Sequence, residues 1–353
     1  MIRRLRFDKY SALYLWALFM VVFGITQGST FLSWTSFKLV LIDPAVFTGT
    51  LALAFLIPLA TNTFDLSIGA NMSLSLVISA TLASNDTMPD LAAMFVALGA
   101  CALAGFVSGF FVVRLRVNSF IATLGMSQVI TAVVLRTSSQ SINDPFTDAY
   151  RDIGRQEVFG LPLFMYYLAA LAVIVWYVFE HTPVGRHMFA TGGNLEAARL
   201  AGLRTDRLIW GSLVASAVIA GFGGTIYGWK VGNYAQTVGP GYLFPAIAAV
   251  FFGASQLKGR PNVWGTFIAL YALAWGVKGL QLTFTTNTRW IEPLFQGLSL
   301  LAAVSLASHQ GVVRVRKNKE AATAERPDDD SPPDDASDVT ARPAGSVGLS
   351  VQP

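Results

Sequence analysis

Apolar residues dominate this chain in runs that recur at 11–31, 44–60, 66–84, 91–113, 118–136, 161–180, 208–228, 243–257, 263–283 and 290–308. A hydrocarbon core of about 30 Å needs roughly 20 apolar residues in a helix, because only helices and closed barrels satisfy their own backbone there. The pattern predicts an all-α, polytopic membrane protein with about ten transmembrane helices. The runs at 44–60 and 243–257 fall short of that length, so tilted, broken or re-entrant helices are expected there. Two interruptions share a plan: "LALAFLIPLATNTFDLSIGANMSLSLVIS" (51–79) and "FPAIAAVFFGASQLKGRPNVWGTFIALY" (244–271) each run as apolar segment, Gly-containing polar break, apolar segment. Repeat-built transporters use such paired breaks beside a pathway, and a restricted alphabet also produces them by chance.

Basic residues orient the runs. "MIRRLRFDKY" precedes a first run too long for the core of a cleaved signal, and no small-residue cleavage site follows, so a retained span after a cytoplasmic N-terminus (1–10) is expected. With the N-terminus inside, sixteen Lys and Arg fall on cytoplasmic segments and six on outer ones, which predicts N-in, C-in. The membrane body then covers 11–310, its largest cytoplasmic loop is 181–207, and its longest outer loop is 137–160.

Composition agrees with a membrane and narrows the chemistry. Hydrophobic residues make up 53% of the chain and charged residues only 13%, with a mean hydropathy of +0.52. The net charge of +4 hides two unlike parts: residues 320–353 hold eight carboxylates and two arginines, which leaves +10 on the rest. Basic residues beside apolar spans serve orientation and anionic lipid, so no nucleic-acid partner is inferred. The tail 311–353 is rich in Pro and Asp and is expected to be disordered and cytoplasmic. Cys101 is the single cysteine, so an internal disulfide or a Cys-based metal framework is excluded. No G-x-x-x-x-G-K-[ST] occurs, so this chain is not an ATP-hydrolysing subunit; His181, His187 and His309 lack metal spacing, and no G-x-S-x-G is present.

One polar stretch interrupts the grease: "GGNLEAARLAGLRTDR" (192–207). Asn194 suits an N-cap, Glu196 meets the positive end of the helix dipole, Glu196 and Arg199 stand i,i+3, and Gly202 suits a C-cap. A helix of about two turns follows, with Ala197, Ala198 and Ala201 on one side and Glu196 and Arg199 on the other. So short a helix must be held by packing. It serves either as an interfacial turn or as a docking helix for a cytoplasmic partner.

Other polar residues invite two readings each. Asp65, with Thr61, Asn62, Thr63, Ser67 and Asn71 around it, either caps the helix after it from a cytoplasmic loop or lines a polar pathway; Ser67 and Asn71 share a face. In "NSFIATLGMSQ", Asn118, Thr123, Ser127 and Gln128 either line a pore or bond to neighbouring helices. Trp229, Tyr234, Trp264 and Trp275 fit an interfacial belt better than stacking on a ligand. Lys278 is close enough to the end of its run to snorkel, with a transport role the other option.

The stretch "HTPVGRHMFATGGNLEAARLAGLRTDR" (181–207) resembles the cytoplasmic loop of the monosaccharide permeases of ABC importers, the ribose, arabinose, xylose and galactose type, in which G-R-x-x-x-A-x-G-G-N-x-x-A-A-R-x-x-G forms the coupling helix. Gly185, Arg186, Ala190, Gly192, Gly193, Asn194, Ala197, Ala198, Arg199 and Gly202 carry that pattern here. "DLSIG" (65–69), "FIATLG" (120–125) and "GPGYLFPAIAAVFFGASQLKGR" (239–260) extend the similarity over about residues 60–310. The chain departs from the family at "TNTF" before Asp65, where two glycines are usual, and at Asn118 and Ser119, where a proline is common. Both departures fall near the expected pathway and bear on the substrate.

The resemblance implies a multi-pass permease of the bacterial inner membrane that translocates a monosaccharide. It implies a cytoplasmic ATP-binding subunit docked on Gly192, Gly193, Asn194, Glu196, Ala197, Ala198, Arg199 and Gly202. It also implies a periplasmic or lipid-anchored sugar-binding protein and a second permease copy, identical or homologous. No cofactor is expected on this chain, since ATP is used by the partner subunit. Asp65, Ser67, Asn71, Asn118 and Thr123 are the candidate pathway residues. An ion-coupled secondary transporter with Asp65 as the ion site is the alternative, and a polytopic membrane enzyme is disfavoured by the lack of any clustered acid, base, nucleophile or metal ligand.

Overall fold

A computed structural model of the chain describes residues 7–84, 88–138, 142–143, 145–235, 238–254, 260–284 and 288–301. Its helices are α1 (Phe7–Phe31), α2 (Trp34–Ala60), α3 (Ile68–Ser84), α4 (Asp90–Gly109), α5 (Ser119–Thr137), α6 (Asp148–Arg155), α7 (Leu163–His181), α8 (Pro183–Gly193), α9 (Leu195–Leu200), α10 (Thr205–Val231), α11 (Val238–Ala254) and α12 (Val263–Thr283). A last helix, α13, runs over 291–301. Among the described residues, six helices are long and apolar enough to cross a membrane, and Val46–Ala60, α3 and α11 add shorter apolar segments. The all-α, polytopic class expected from the apolar runs is the one observed. The tail from 311 and the first six residues lie outside the described residues.

Side chains set where the helices begin. Ser33 accepts from the Ser36 amide at 3.1 Å, Asn118 from Phe120 at 2.9 Å and Asn262 from Gly265 at 2.7 Å, which starts α2, α5 and α12. Gly232, with φ +71°, closes α10. α4 does not stop at Gly109 but widens into a π-helical turn, Phe110–Arg114.

Contacts across the chain sort the helix termini into two ends of the bundle. At one end α8 and α9 lie beside the last residues of α2 and α7 and the first of α10 and α12. At the other, α6 packs on the last turn of α10, Thr147 bonds to Asp90 at the start of α4, and Gln27 of α1 bonds to Thr283 of α12. Two small ladders also lie there: β1 (Ile142–Asn143) pairs antiparallel with β4 (Asn233–Tyr234), and β2 (Glu157–Val158) pairs with β3 (Leu161–Pro162).

The centre is built from α2, α3 and α10. Leu51, Leu53, Phe55 and Leu56 of α2 are buried, so the part of this helix over 46–60 is apolar on every side because protein surrounds it there. α4 crosses α10 at Gly105, which lies against Leu213 and Ala217, as small residues allow in membrane helix pairs. α1, α4, α5 and α7 instead turn large apolar side chains outward, among them Ile25, Leu103, Ile121 and Ile174.

The structure corrects several expectations. α2 begins at Trp34, ten residues ahead of the apolar run, and the outer loop 137–160 contains α6. Trp229 and Trp275 are buried against Tyr150 and Phe31 rather than set in an interfacial belt; Trp264 is half exposed, and the side chain of Tyr234 lies outside the described residues. The loop 181–207 holds two helices, not one. The signal for α8 was present in "TP": Thr182 accepts from the Gly185 amide at 3.3 Å, and Pro183 opens the helix, where its missing N–H costs nothing.

Candidate functional site

The polar stretch folds as anticipated at both of its caps. Asn194 Oδ1 accepts from the Ala197 amide at 3.0 Å and starts α9. At the far end Gly202 takes φ +81°, the Gly202 amide donates to Arg199 at 2.9 Å, and the Leu203 amide reaches back to Ala198 at 3.0 Å. That double closure is the Schellman pattern, and the positive φ is what favours glycine there.

The faces of α9 differ from expectation. Only Ala198 turns inward, at 5% exposure; Ala197 and Ala201 are exposed beside Glu196. Arg199 does not pair with Glu196. Its guanidinium donates to Thr205 Oγ1 at 3.0 Å and to Asp206 Oδ1 at 2.6 Å, which ties α9 to the first turn of α10. Gly192 meets the end of α2 so closely that a Cβ would collide with the Ala60 carbonyl, while Gly193 is open to solvent. The residue that sequence reading missed is Leu200, 91% exposed at the tip of α9. An apolar side chain in a polar turn was the available signal.

A second anchor lies beneath α8. Arg260, before α12, donates to both carboxylate oxygens of Glu180 at 3.2 and 3.0 Å, and its guanidinium stands 4.2 Å over the ring of Phe189 in α8. No local pattern in the sequence marks this cluster, since its members are 80 residues apart.

The break between α2 and α3 lies next to this end. Asn62 opens onto a cleft of about 420 Å³ that also borders Arg116, Gly192, Leu195 and Arg199. From there the chain turns inward to Asp65, which is buried. A non-helical segment among apolar helices must have its backbone groups satisfied by the protein itself. Here the Phe64 amide donates to Ser119 Oγ at 3.1 Å and the Leu66 amide to Thr123 Oγ1 at 3.0 Å. Thr123 in turn shares its hydroxyl proton between the carbonyls of Ser119 (2.8 Å) and Phe64 (3.2 Å).

Asp65 caps α3: its Oδ1 accepts from the Ser67 amide at 2.9 Å and the Ser67 hydroxyl at 2.6 Å. Asn71 Nδ2 donates to Ser67 Oγ at 3.1 Å, and Asn71 Oδ1 has no hydrogen-bond partner among the described residues. Asp65, Ser67, Asn71 and Thr123 are thus gathered at one buried joint. Asn118 is not among them; it is exposed and caps α5.

At the opposite end the hairpin β2–β3 turns through Phe159 and Gly160, with φ +51° and +77°, and Phe159 is 98% exposed. A phenylalanine in the left-handed region at a hairpin tip pairs strain with exposure.

Residues 41–304 match the protein family described as branched-chain amino acid transport system / permease component. Among similar proteins, the fructose import permease of Rhizobium meliloti is 30% identical over 299 residues, covering 82% of each chain. The ribose import permease of Escherichia coli K12 is 30% identical over 259 residues, 72% of this chain and 80% of that one. The galactose/methyl galactoside import permease of Haemophilus influenzae is 29% identical over 324 residues, 85% and 94% of the two chains. No solved structure matches.

Proposed function

The chain belongs to this permease family, and we propose that it is the membrane-spanning subunit of an ATP-driven importer whose cargo is a monosaccharide. It is a multi-pass membrane permease and not an enzyme. ATP is hydrolysed by a separate subunit. The observation that carries the reading is the pair α8–α9: two short helices fixed to α2, α10 and the start of α12, with Leu200 and Glu196 left facing outward. Fixed helices with an exposed face suit a part that is pushed by a partner.

In this reading the α8–α9 end is cytoplasmic, the ATP-binding subunit docks there on residues 192–202, and an extracytoplasmic sugar-binding protein meets the other end. The N- and C-termini are inside, and two permease copies enclose the pathway. Closure of the ATPase pair moves α8–α9 as a body and tilts the helices tied to it. Asp65, Ser67 and Thr123 act as the joint on which α2 and α3 turn rather than as a lining for sugar, because the hydrogen bonds of Ser67 and Thr123 run to Asp65 and to the backbone of the break. The ion-coupled alternative is not favoured, since the proteins this chain resembles are import permeases for sugars and one Asp65 oxygen serves as the cap of α3.

Proteoliposomes holding the permease, its ATPase and its binding protein test the reading. ATP-dependent accumulation of a labelled monosaccharide that survives a protonophore is expected. Uptake driven by a proton or cation gradient without ATP would overturn it.

A further inference from the structure

At the end of the bundle away from α8–α9, a cavity of about 430 Å³ lies between α2, α11, α12 and α13. Its polar lining is Thr48, Tyr242, Lys278, Gln281, Glu292 and Gln296. An adjoining hollow of about 400 Å³ shares Tyr242, Glu292 and Gln296 with it. Each volume falls in the range of roughly 300–1,000 Å³ typical of small-molecule sites.

Three of the side chains that line it have spare capacity. Lys278 and Gln281 make no hydrogen bond or ion pair with any described residue, and Glu292 bonds only to Gln296, which donates to it at 2.9 Å. A lysine on a helix apolar enough to cross a membrane is costly unless it serves a pathway or finds a partner. Lys278 and Gln281 stand i,i+3 on α12, and Glu292 and Gln296 stand i,i+4 on α13, so each pair shares a face. The two faces meet across the cavity. Pro245 also lines it and, lacking an amide proton, donates nothing to the Gly241 carbonyl one turn back.

We propose that this chamber is a monosaccharide station on the translocation pathway, with Lys278, Gln281, Glu292 and Gln296 as its polar contacts. The proposal rests on the sugar-importer reading above and names a site within it. The chemistry of the larger cavity selects a neutral polyhydroxylated ligand: among its lining residues one cation, Lys278, and one carboxylate, Glu292, offset each other. The two side-chain amides can both donate to and accept from sugar hydroxyls. The rings of Tyr242 and Phe295 give an apolar wall for the C–H face of a pyranose or furanose. Few contacts on a wide opening suit a site that must release its cargo.

The competing reading is that Lys278 merely snorkels to the membrane surface. The test uses the importer reconstituted with its ATPase and binding protein, assayed with labelled D-ribose, D-fructose and D-galactose. Gln281→Leu and Gln296→Leu are expected to lower kcat/KM for uptake of the transported sugar about tenfold each, the effect of one lost hydrogen bond. Retained co-purification with the ATPase shows that each variant is inserted and folded. In a second measurement, Gln281→Cys in a Cys101→Ser background is labelled with a soluble maleimide, and the transported sugar is expected to slow the labelling.

Uptake unchanged in both leucine variants, or labelling unaffected by sugar, overturns the chamber while leaving the importer reading standing. Wild-type protein that accumulates none of the sugars with ATP overturns the cargo reading, and the chamber's ligand with it.

Discussion

Arg260 and Glu180 join the start of α12 to the end of α7 through a two-oxygen contact, at 3.2 and 3.0 Å. The same guanidinium lies over Phe189, so a displacement of α8 is delivered to α12, the helix that carries Lys278 and Gln281. Arg260→Lys keeps the charge and loses both the planar fork and most of the stacking. We expect Arg260→Lys to import less sugar per ATP hydrolysed, and Arg260→Ala to fall further, with ATPase activity retained. Measuring uptake and phosphate release on the same proteoliposomes decides it, since an unchanged ratio in both variants would remove Arg260 from the coupling path.

Leu200 is the exposed anchor on α9. Burying a leucine is worth about 1.5–3 kcal/mol, so Leu200→Asp should weaken ATPase association roughly tenfold to a hundredfold. Glu196→Arg, on the same exposed surface, should weaken it as well. Titration of the ATPase against immobilised permease reads both. Ala198→Trp should also abolish binding but for another reason: Ala198 is buried, so a tryptophan there is expected to unseat α9.

The caps of α9 are separable from its contacts. Asn194→Ala removes a side-chain acceptor worth about 1 kcal/mol. Gly202→Ala forces a Cβ into φ +81°, at a similar cost of about 1 kcal/mol. Limited proteolysis should cut both variants faster between residues 194 and 203, with transmembrane packing intact. Cleavage at the wild-type rate would mean that packing alone holds the helix.

The break at 61–67 gives the clearest contrast between a joint and a pathway. Thr123→Val leaves the Leu66 amide buried without an acceptor, at a cost of about 1–3 kcal/mol, and should lower Tm in detergent. Asp65→Asn keeps an acceptor for the Ser67 amide and should transport close to normally. Loss of transport in Asp65→Asn with an unchanged Tm would make Asp65 a transport residue instead.

The apolar runs and the basic residues between them were enough to give the helical membrane class, because burial in lipid demands helices of a set length and each helix closes its own hydrogen bonds. The caps at Asn194 and Gly202 were legible for the same reason, as contacts within a few residues of chain, whereas Asn118 reads as a pathway residue and instead caps α5. The partners of these groups across the fold were not. Arg199 has Glu196 within one turn, yet it bonds to Asp206; Thr123 reads either as a pore-lining hydroxyl or as a bond to a neighbouring helix, and it serves the backbone of Leu66 and Phe64, 57 and 59 residues away. Lys278 looks like a snorkelling lysine until α13 brings Glu292 and Gln296 to the same cavity. Local spacing thus determined the apolar helices and the two caps of α9, but not the start of α2 or the presence of α6 and α8. Which face each helix buries, which polar groups meet and where a chamber remains were decided only when distant helices packed, because those choices depend on surfaces that no short stretch of the chain contains.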